Sequence, residues 1–141
     1  MKHTLIFFLI FFSLPCWGEK QIIQERITFF KKSEKSLANI KKLLNSKDFN
    51  EIFHEAKFIN EWSKKIPSFF PFGTQASMEN NSDASMDIWL NFDKFSEKAK
   101  STEHFSNKII QAAIKEDLNE LIIALKQTSM SCTSCHRSFR N

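Results

Sequence analysis

The chain has 141 residues, enough for one domain preceded by a short leader. Its 20 basic and 16 acidic residues give a formal net charge of +4 at pH 7. The lysines form scattered pairs, such as Lys31-Lys32, Lys41-Lys42 and Lys64-Lys65, and no single basic patch. This distribution argues against a nucleic-acid-binding protein and is typical of solvated helix faces.

The first residues have the pattern of a secretory signal peptide. An apolar run from Leu5 to Leu14 follows the basic residue Lys2 and is too short for a membrane anchor. We predict that residues 1–18 are a signal peptide and that residues 19–141 form the mature domain. That domain would have no membrane span and would reside in the periplasm. An alternative, in which Cys16 is acylated as in a lipoprotein, is disfavoured because Leu14-Pro15 directly before it are not the small residues that such a site prefers.

Long stretches without glycine or proline predict that the mature chain is helical. Its single glycine, Gly73, lies close to Pro67 and Pro71, so we expect one interruption near the middle. The inward residues of the first segment recur at steps of three and four: Ile23, Arg26, Phe30, Ser33, Leu37, Ile40 and Leu44. Arg26 on this line either has an anionic partner or lies at the edge of the stripe and reaches water.

The second and third segments show the same helical period. The second begins near Asp48 and ends at Pro67, because the proline ring removes a backbone donor. Its inward residues are Phe49, Ile52, Phe53, Ala56, Ile59, Trp62 and Ile66. The third begins around Ser85, and its polar stretch at 101–104 is compatible with a bend. Its inward residues are Ile88, Trp89, Phe92, Phe95, Ala99, Phe105, Ile109 and Ala113.

The last segment begins at Asp117, with Glu120 three residues later in the arrangement of a capping box. Its inward line contains Leu118, Leu121, Leu125, Thr128, Cys132, Cys135 and Phe139. Both cysteines therefore share the core face of the helix. Four amphipathic helices with short joints and one longer central crossover predict an all-α, antiparallel four-helix bundle.

Cys132, Cys135 and His136 form a C-x-x-C-H motif, the spacing that attaches c-type haem. Two thiols three residues apart on a helix lie nearly one above the other, so each can form a thioether with a vinyl group of one porphyrin. A disulfide or half of a zinc site are the alternatives, and the export signal and the adjacent histidine favour haem. We predict one covalent haem c with His136 as its iron ligand. A propionate would then serve as the anion for Arg26.

With these features the chain resembles the cytochrome c prime (cytochrome c′) family of periplasmic haem proteins, which are four-helix bundles. The resemblance covers residues 19–141. It rests on the Arg26 stretch, Ile66-Pro67 with Phe72-Gly73-Thr74, Ile88-Trp89 with Phe92 and Phe95, and residues 132–140. Family members usually carry Tyr-Arg at the third and fourth places after the histidine, where this chain has Phe139 and Arg140.

The resemblance implies roles for further residues. His136 would be the single protein ligand, and Phe30, four residues after Arg26, would cover the opposite haem face. Six-coordinate relatives place a methionine on the first helix, and this chain has none there. We therefore expect five-coordinate, high-spin iron. Arg140 would lie beside the proximal face and hydrogen-bond a bound ligand, or else only interact with the helix dipole.

The family's behaviour also implies a function. It predicts binding of nitric oxide and carbon monoxide, no enzymatic activity, and a homodimer through the first two helices. The alternative is a six-coordinate electron carrier that docks on redox partner proteins through its lysines. That alternative needs a sixth ligand, and the other mature histidines, His54 and His104, are more typical of surface positions. A peroxidase would need a distal His-Arg pair, which is not identifiable.

Overall fold

The computed structural model describes residues 17–141. The predicted signal peptide therefore lies outside the described residues, except for its last two, which begin the first helix. The helices are α1 (Trp17–Ser46), α2 (Phe49–Lys65), α3 (Asp87–Leu90), α4 (Phe92–Ile114) and α5 (Leu118–Phe139). A 3-10 turn at Ile66–Phe69 follows α2. The part of the chain described contains no strand, and α1, α2, α4 and α5 form the predicted four-helix bundle.

Side-chain caps fix the starts of two bundle helices. The Asp48 carboxylate accepts a hydrogen bond from the Glu51 backbone N–H at 3.0 Å, and Asp117 accepts one from Glu120 in the same way. An aspartate at this position satisfies one of the N–H groups that the first helical turn leaves without a partner. The predicted starts of the second and fourth segments are therefore confirmed.

The third segment differs from the prediction, because it is not one helix from Ser85. Asn91 has non-helical backbone angles (φ −134°, ψ 45°) and separates the short α3 from α4. Its side-chain amide also lies 3.4 Å from the Asp87 carbonyl oxygen, and such local bonding by asparagine competes with a continuous helix. The polar stretch at 101–104 interrupts nothing, since α4 continues through it.

The packing of the bundle is uneven around its four seams. α2 packs closely on α4, α4 on α5, and α1 on α2, whereas α1 and α5 approach each other over only a short stretch. One half of the core is aliphatic and includes Ile40, Ile52, Ile59, Ile109 and Leu121. We call the other half the aromatic cluster: Trp62, Ile66, Phe70, Ala84, Ile88, Phe95, Ala99 and Phe139, with Phe29, Phe30, Phe69, Trp89 and Cys135 packed against it.

No helix within residues 17–141 is both long enough and apolar enough to span a lipid bilayer.

Candidate haem-binding site

Both motif cysteines lie on the last turns of α5, where their thiols are half-buried and unpaired. Cys135 packs against the aromatic cluster, as its position on the core line predicts. Burial raises the pKa of both thiols, and that of Cys135 reaches about 11, with the neighbouring Cys132 adding to the effect. The two side chains therefore present neutral thiols on one face of one helix, which is the arrangement that two thioether bonds to one porphyrin require.

His136 follows directly and is exposed. The desolvation it does experience lowers its pKa below the usual value, the positive charge of Arg140 lowers it further, and Glu34 acts in the opposite direction. The lowered pKa favours the neutral imidazole, the form that can bind a metal.

Phe30 faces His136 across the seam between α1 and α5. The centroids of the two rings are 6.1 Å apart, with the rings nearly perpendicular. Phe30 is held in place by Trp62, whose ring centroid lies 5.2 Å away, and by Phe70 at 6.3 Å. The structure thus brings together the residue predicted to bind iron and the residue predicted to cover the opposite haem face.

The residues at this seam fit a covalently attached haem. The Cys135 thiol packs against the aromatic cluster, and the His136 imidazole meets the Phe30 ring where α1 and α5 approach each other only briefly. The Cys132 thiol lies on the same helix beside Thr102 of α4. In addition, Trp62 is only 3% exposed, and its indole Nε1–H has no hydrogen-bond partner. A buried tryptophan N–H normally has an acceptor, so this donor is free to serve either the haem or a ligand bound to it.

Arg26 is buried, with 3% of its surface exposed, so the interpretation that it reaches water at the edge of the stripe is wrong. Its guanidinium donates to Thr74 Oγ1 at 2.7 Å, to Ser82 Oγ at 2.6 Å, to the Phe69 carbonyl at 3.2 Å and to the Thr74 carbonyl. It also stacks 4.3 Å from the Phe70 ring centroid. Burial lowers the pKa of Arg26 to about 10. Arg26 therefore ties α1, through neutral oxygens, to the end of the 3-10 turn and to the loop at residues 70–86, which we call the central loop.

Binding of a propionate by Arg26 remains a prediction. The bonds to the loop use its four terminal N–H groups, so a propionate would have to share them or accept from Nε.

Arg140 lies just beyond the end of α5 and is exposed. Its Nε and one terminal nitrogen donate to Asp83 Oδ2 at 3.1 and 2.7 Å. Backbone bonds from Ser85 to Phe139 (3.0 Å) and from Asn141 to Asp83 (2.9 Å) hold the C-terminus against the same loop. Whether Arg140 also contacts a bound ligand stays a prediction.

Three features of this site went unrecognised in the sequence. Thr74 and Ser82 are buried acceptors for Arg26, Asp83 pairs with Arg140, and the Trp62 N–H has no partner. The only sequence signal for these contacts is the presence of small hydroxyl residues in the loop, since such residues can accept hydrogen bonds from a buried arginine. His54 and His104 are exposed, as expected. Within residues 17–141 no group of three or more His, Cys, Asp or Glu side chains could hold a metal ion.

Comparison with known proteins decides the family. The family model described as Cytochrome C′ matches residues 21–140. The chain belongs to the cytochrome c′ family. This membership confirms the resemblance that the sequence shows, and it places the chain among haem c proteins.

Individual relatives agree with this assignment. A 74-residue stretch is 34% identical to cytochrome c-554 from Cereibacter sphaeroides, covering 52% of this chain and 48% of the relative. The chain thus spans about half the length of this curated relative. Cytochrome c′ from Thermochromatium tepidum has a similar structure, with a TM-score of 0.78, 16% identity, and coverage of 86% of this chain and 95% of that one.

A further similar structure is the nitric oxide complex of a variant cytochrome c′ from Alcaligenes xylosoxidans. Its TM-score is 0.76 at 20% identity, with 87% of this chain and 95% of that chain covered. At these identities the structural likeness establishes the fold alone, and it confirms the four-helix bundle.

Proposed function

We propose that this cytochrome c′ family member is a periplasmic haem protein that binds nitric oxide or carbon monoxide and catalyses no reaction of its own. Cys132 and Cys135 hold one haem c through thioethers, His136 is the only protein ligand, and Phe30 covers the opposite face. The observation that carries this proposal is that Phe30 on α1 and His136 on α5 face each other across the seam, with ring centroids 6.1 Å apart. A haem bound to His136 would separate the two rings and leave Phe30 on its opposite face. The haem, when bound, supplies the iron site at which a gas coordinates.

The neighbours of Phe30 support five-coordinate iron. Trp62 and Phe70 pack against it, and neither side chain can bind a metal. The described methionines, Met78, Met86 and Met130, are exposed, and so are His54 and His104. Among residues 17–141, none of these methionines and histidines is therefore buried in the aromatic cluster beside Phe30.

The same surroundings favour small neutral ligands. The wall beside Phe30 is made of aromatic rings, so an anion there would lose its hydration without a compensating charge. A diatomic gas avoids that penalty, although it must displace the Phe30 ring to reach the iron. The nitric oxide complex of the related Alcaligenes xylosoxidans protein is consistent with this function.

Electron transfer is the second candidate. Lys31, Lys32 and Lys35 are exposed on α1 next to Phe30 and would attract an acidic redox partner protein. Iron coordination separates gas binding from electron transfer, because a carrier with a sixth protein ligand would leave no place for a gas.

We also propose a homodimer through α1 and α2, because the family's pattern suggests one.

The experiment is an optical spectrum of the purified ferrous protein before and after addition of nitric oxide. We expect a high-spin, five-coordinate spectrum in the untreated sample and a nitrosyl spectrum after addition. A low-spin, six-coordinate spectrum before addition would overturn the assignment of Phe30 and favour the electron carrier.

A further inference from the structure

Two tryptophans of the aromatic cluster differ in the state of their indole N–H groups. Trp89 is half-buried, and its Nε1–H donates to the Phe70 carbonyl oxygen at 3.0 Å. Trp62 is more deeply buried, with 3% of its surface exposed, yet its Nε1–H has no acceptor. A donor that has lost its contact with water and found no partner destabilises the fold, and its retention requires an explanation.

The location of Trp62 suggests an explanation for its unpartnered N–H. Its indole stacks on Phe29, with ring centroids 4.8 Å apart, and meets Phe69 edge-on at 5.0 Å. On a third side it meets Phe30 edge-on at 5.2 Å. Phe30 is the ring that faces His136, so Trp62 borders the space that opens when Phe30 moves aside.

We propose that the Trp62 Nε1–H donates a hydrogen bond to a diatomic ligand bound on the Phe30 side of the haem iron. The inference rests on the proposed function and adds a specific ligand-binding residue to it. Displacement of the Phe30 ring then has two effects. It makes room for the ligand, and it brings an acceptor to a donor that otherwise has none.

The chemistry of the surroundings favours a neutral diatomic over a haem propionate as this acceptor. The rings packed on Trp62 are all phenylalanines, which cannot offset a negative charge. The nearby cation, Arg26, already donates its four terminal N–H groups to the central loop. A carboxylate drawn in beside the indole would lose its hydration for one hydrogen bond, whereas a diatomic has little hydration to lose.

Carbon monoxide bound to the ferrous holoprotein is the probe. Replacing Trp62 by phenylalanine (Trp62→Phe) removes the N–H and keeps an aromatic ring. We expect the C–O stretching frequency to rise, and carbon monoxide to dissociate about three- to tenfold faster, the range of one lost hydrogen bond. Trp89→Phe is the matched control, because its N–H serves the Phe70 carbonyl, and it should leave the stretching frequency unchanged.

A measurement on the wild-type protein covers the case in which Trp62→Phe does not fold. In the wild-type complex, replacing the exchangeable indole proton by deuterium should shift the C–O stretching frequency slightly, because the donor to the ligand is then an N–D group. A stretching frequency that is the same in light and heavy water, or the same in Trp62→Phe and wild type, overturns the inference. The inference is also overturned if Trp62→Phe changes only the optical spectrum of the haem without carbon monoxide. In that case the Trp62 N–H would donate to a haem propionate. A wild-type holoprotein that binds neither carbon monoxide nor nitric oxide overturns the proposed function itself.

Discussion

The Arg26 guanidinium donates a 2.7 Å hydrogen bond to Thr74 Oγ1, and both residues are almost wholly buried. Thr74 is 0% exposed, and its hydroxyl in turn donates to the Pro71 carbonyl at 2.9 Å. The link joins the first helix to a loop 48 residues away in sequence. It also places a buried positive charge one helical turn before Phe30.

Replacing Thr74 by valine keeps the shape of the side chain but removes the oxygen. The Arg26 N–H would then lack an acceptor in a buried site, so we expect the free energy of unfolding to fall by about 1–3 kcal/mol. Chemical denaturation followed by circular dichroism measures this change. Thr28→Val is the control, since Thr28 is exposed and its hydroxyl bonds only within α1. Equal effects of the two substitutions would contradict the role of the link.

The ion pair between Arg140 and Asp83 should contribute little, although its 2.7 Å distance is short. Both side chains are more than half exposed, so solvent screens their attraction to roughly 0–1 kcal/mol. A double-mutant cycle with Asp83→Asn and Arg140→Gln measures the coupling by chemical denaturation. A coupling energy above about 2 kcal/mol would mean that the pair organises the C-terminus, beyond what the backbone bonds there provide.

The N-cap of α5 supports the helix that carries the haem motif. Asp117→Ala removes the acceptor for the Glu120 N–H, and we expect it to lower the free energy of unfolding by about 1 kcal/mol. Asn119→Ala, two residues away on the exposed face, should stay within about 0.5 kcal/mol of the wild type. A cost for Asn119→Ala as large as that for Asp117→Ala would argue against the cap.

Covalent attachment is tested by removing the thiols. The variant that carries both Cys132→Ala and Cys135→Ala should lose all haem on a denaturing gel stained for haem, because no thioether can form. Cys16→Ala should retain it, since Cys16 belongs to the predicted signal peptide. Haem retained by the double variant on the denaturing gel would contradict thioether attachment.

The helical faces could be read from the sequence because burial follows the 3.6-residue period. Ile40, Ile52, Ile109 and Leu121 all lie on predicted inward lines and are fully buried. The cap at Asp117 was readable for a similar reason, since its partner is only three residues away.

Features that depend on distant or non-periodic partners could not be read. The break at Asn91 is hidden because the apolar period continues from Ile88 to Phe95 across it. The acceptors of Arg26 lie in a loop 43 to 56 residues away that has no period at all. Whether the Trp62 N–H has a partner depends on where every neighbouring oxygen lies, and no local pattern encodes that.

The most direct test of the central claim, that Phe30 covers the iron opposite His136, is the rate at which carbon monoxide binds the ferrous protein. Phe30→Ala removes the ring that a ligand must displace, so we predict binding at least tenfold faster than in the wild type. Phe53→Ala, the same substitution on α2 beside the aliphatic half of the core, is the control and should leave the rate unchanged. An unchanged rate in Phe30→Ala would show that another residue covers the iron and would contradict the account.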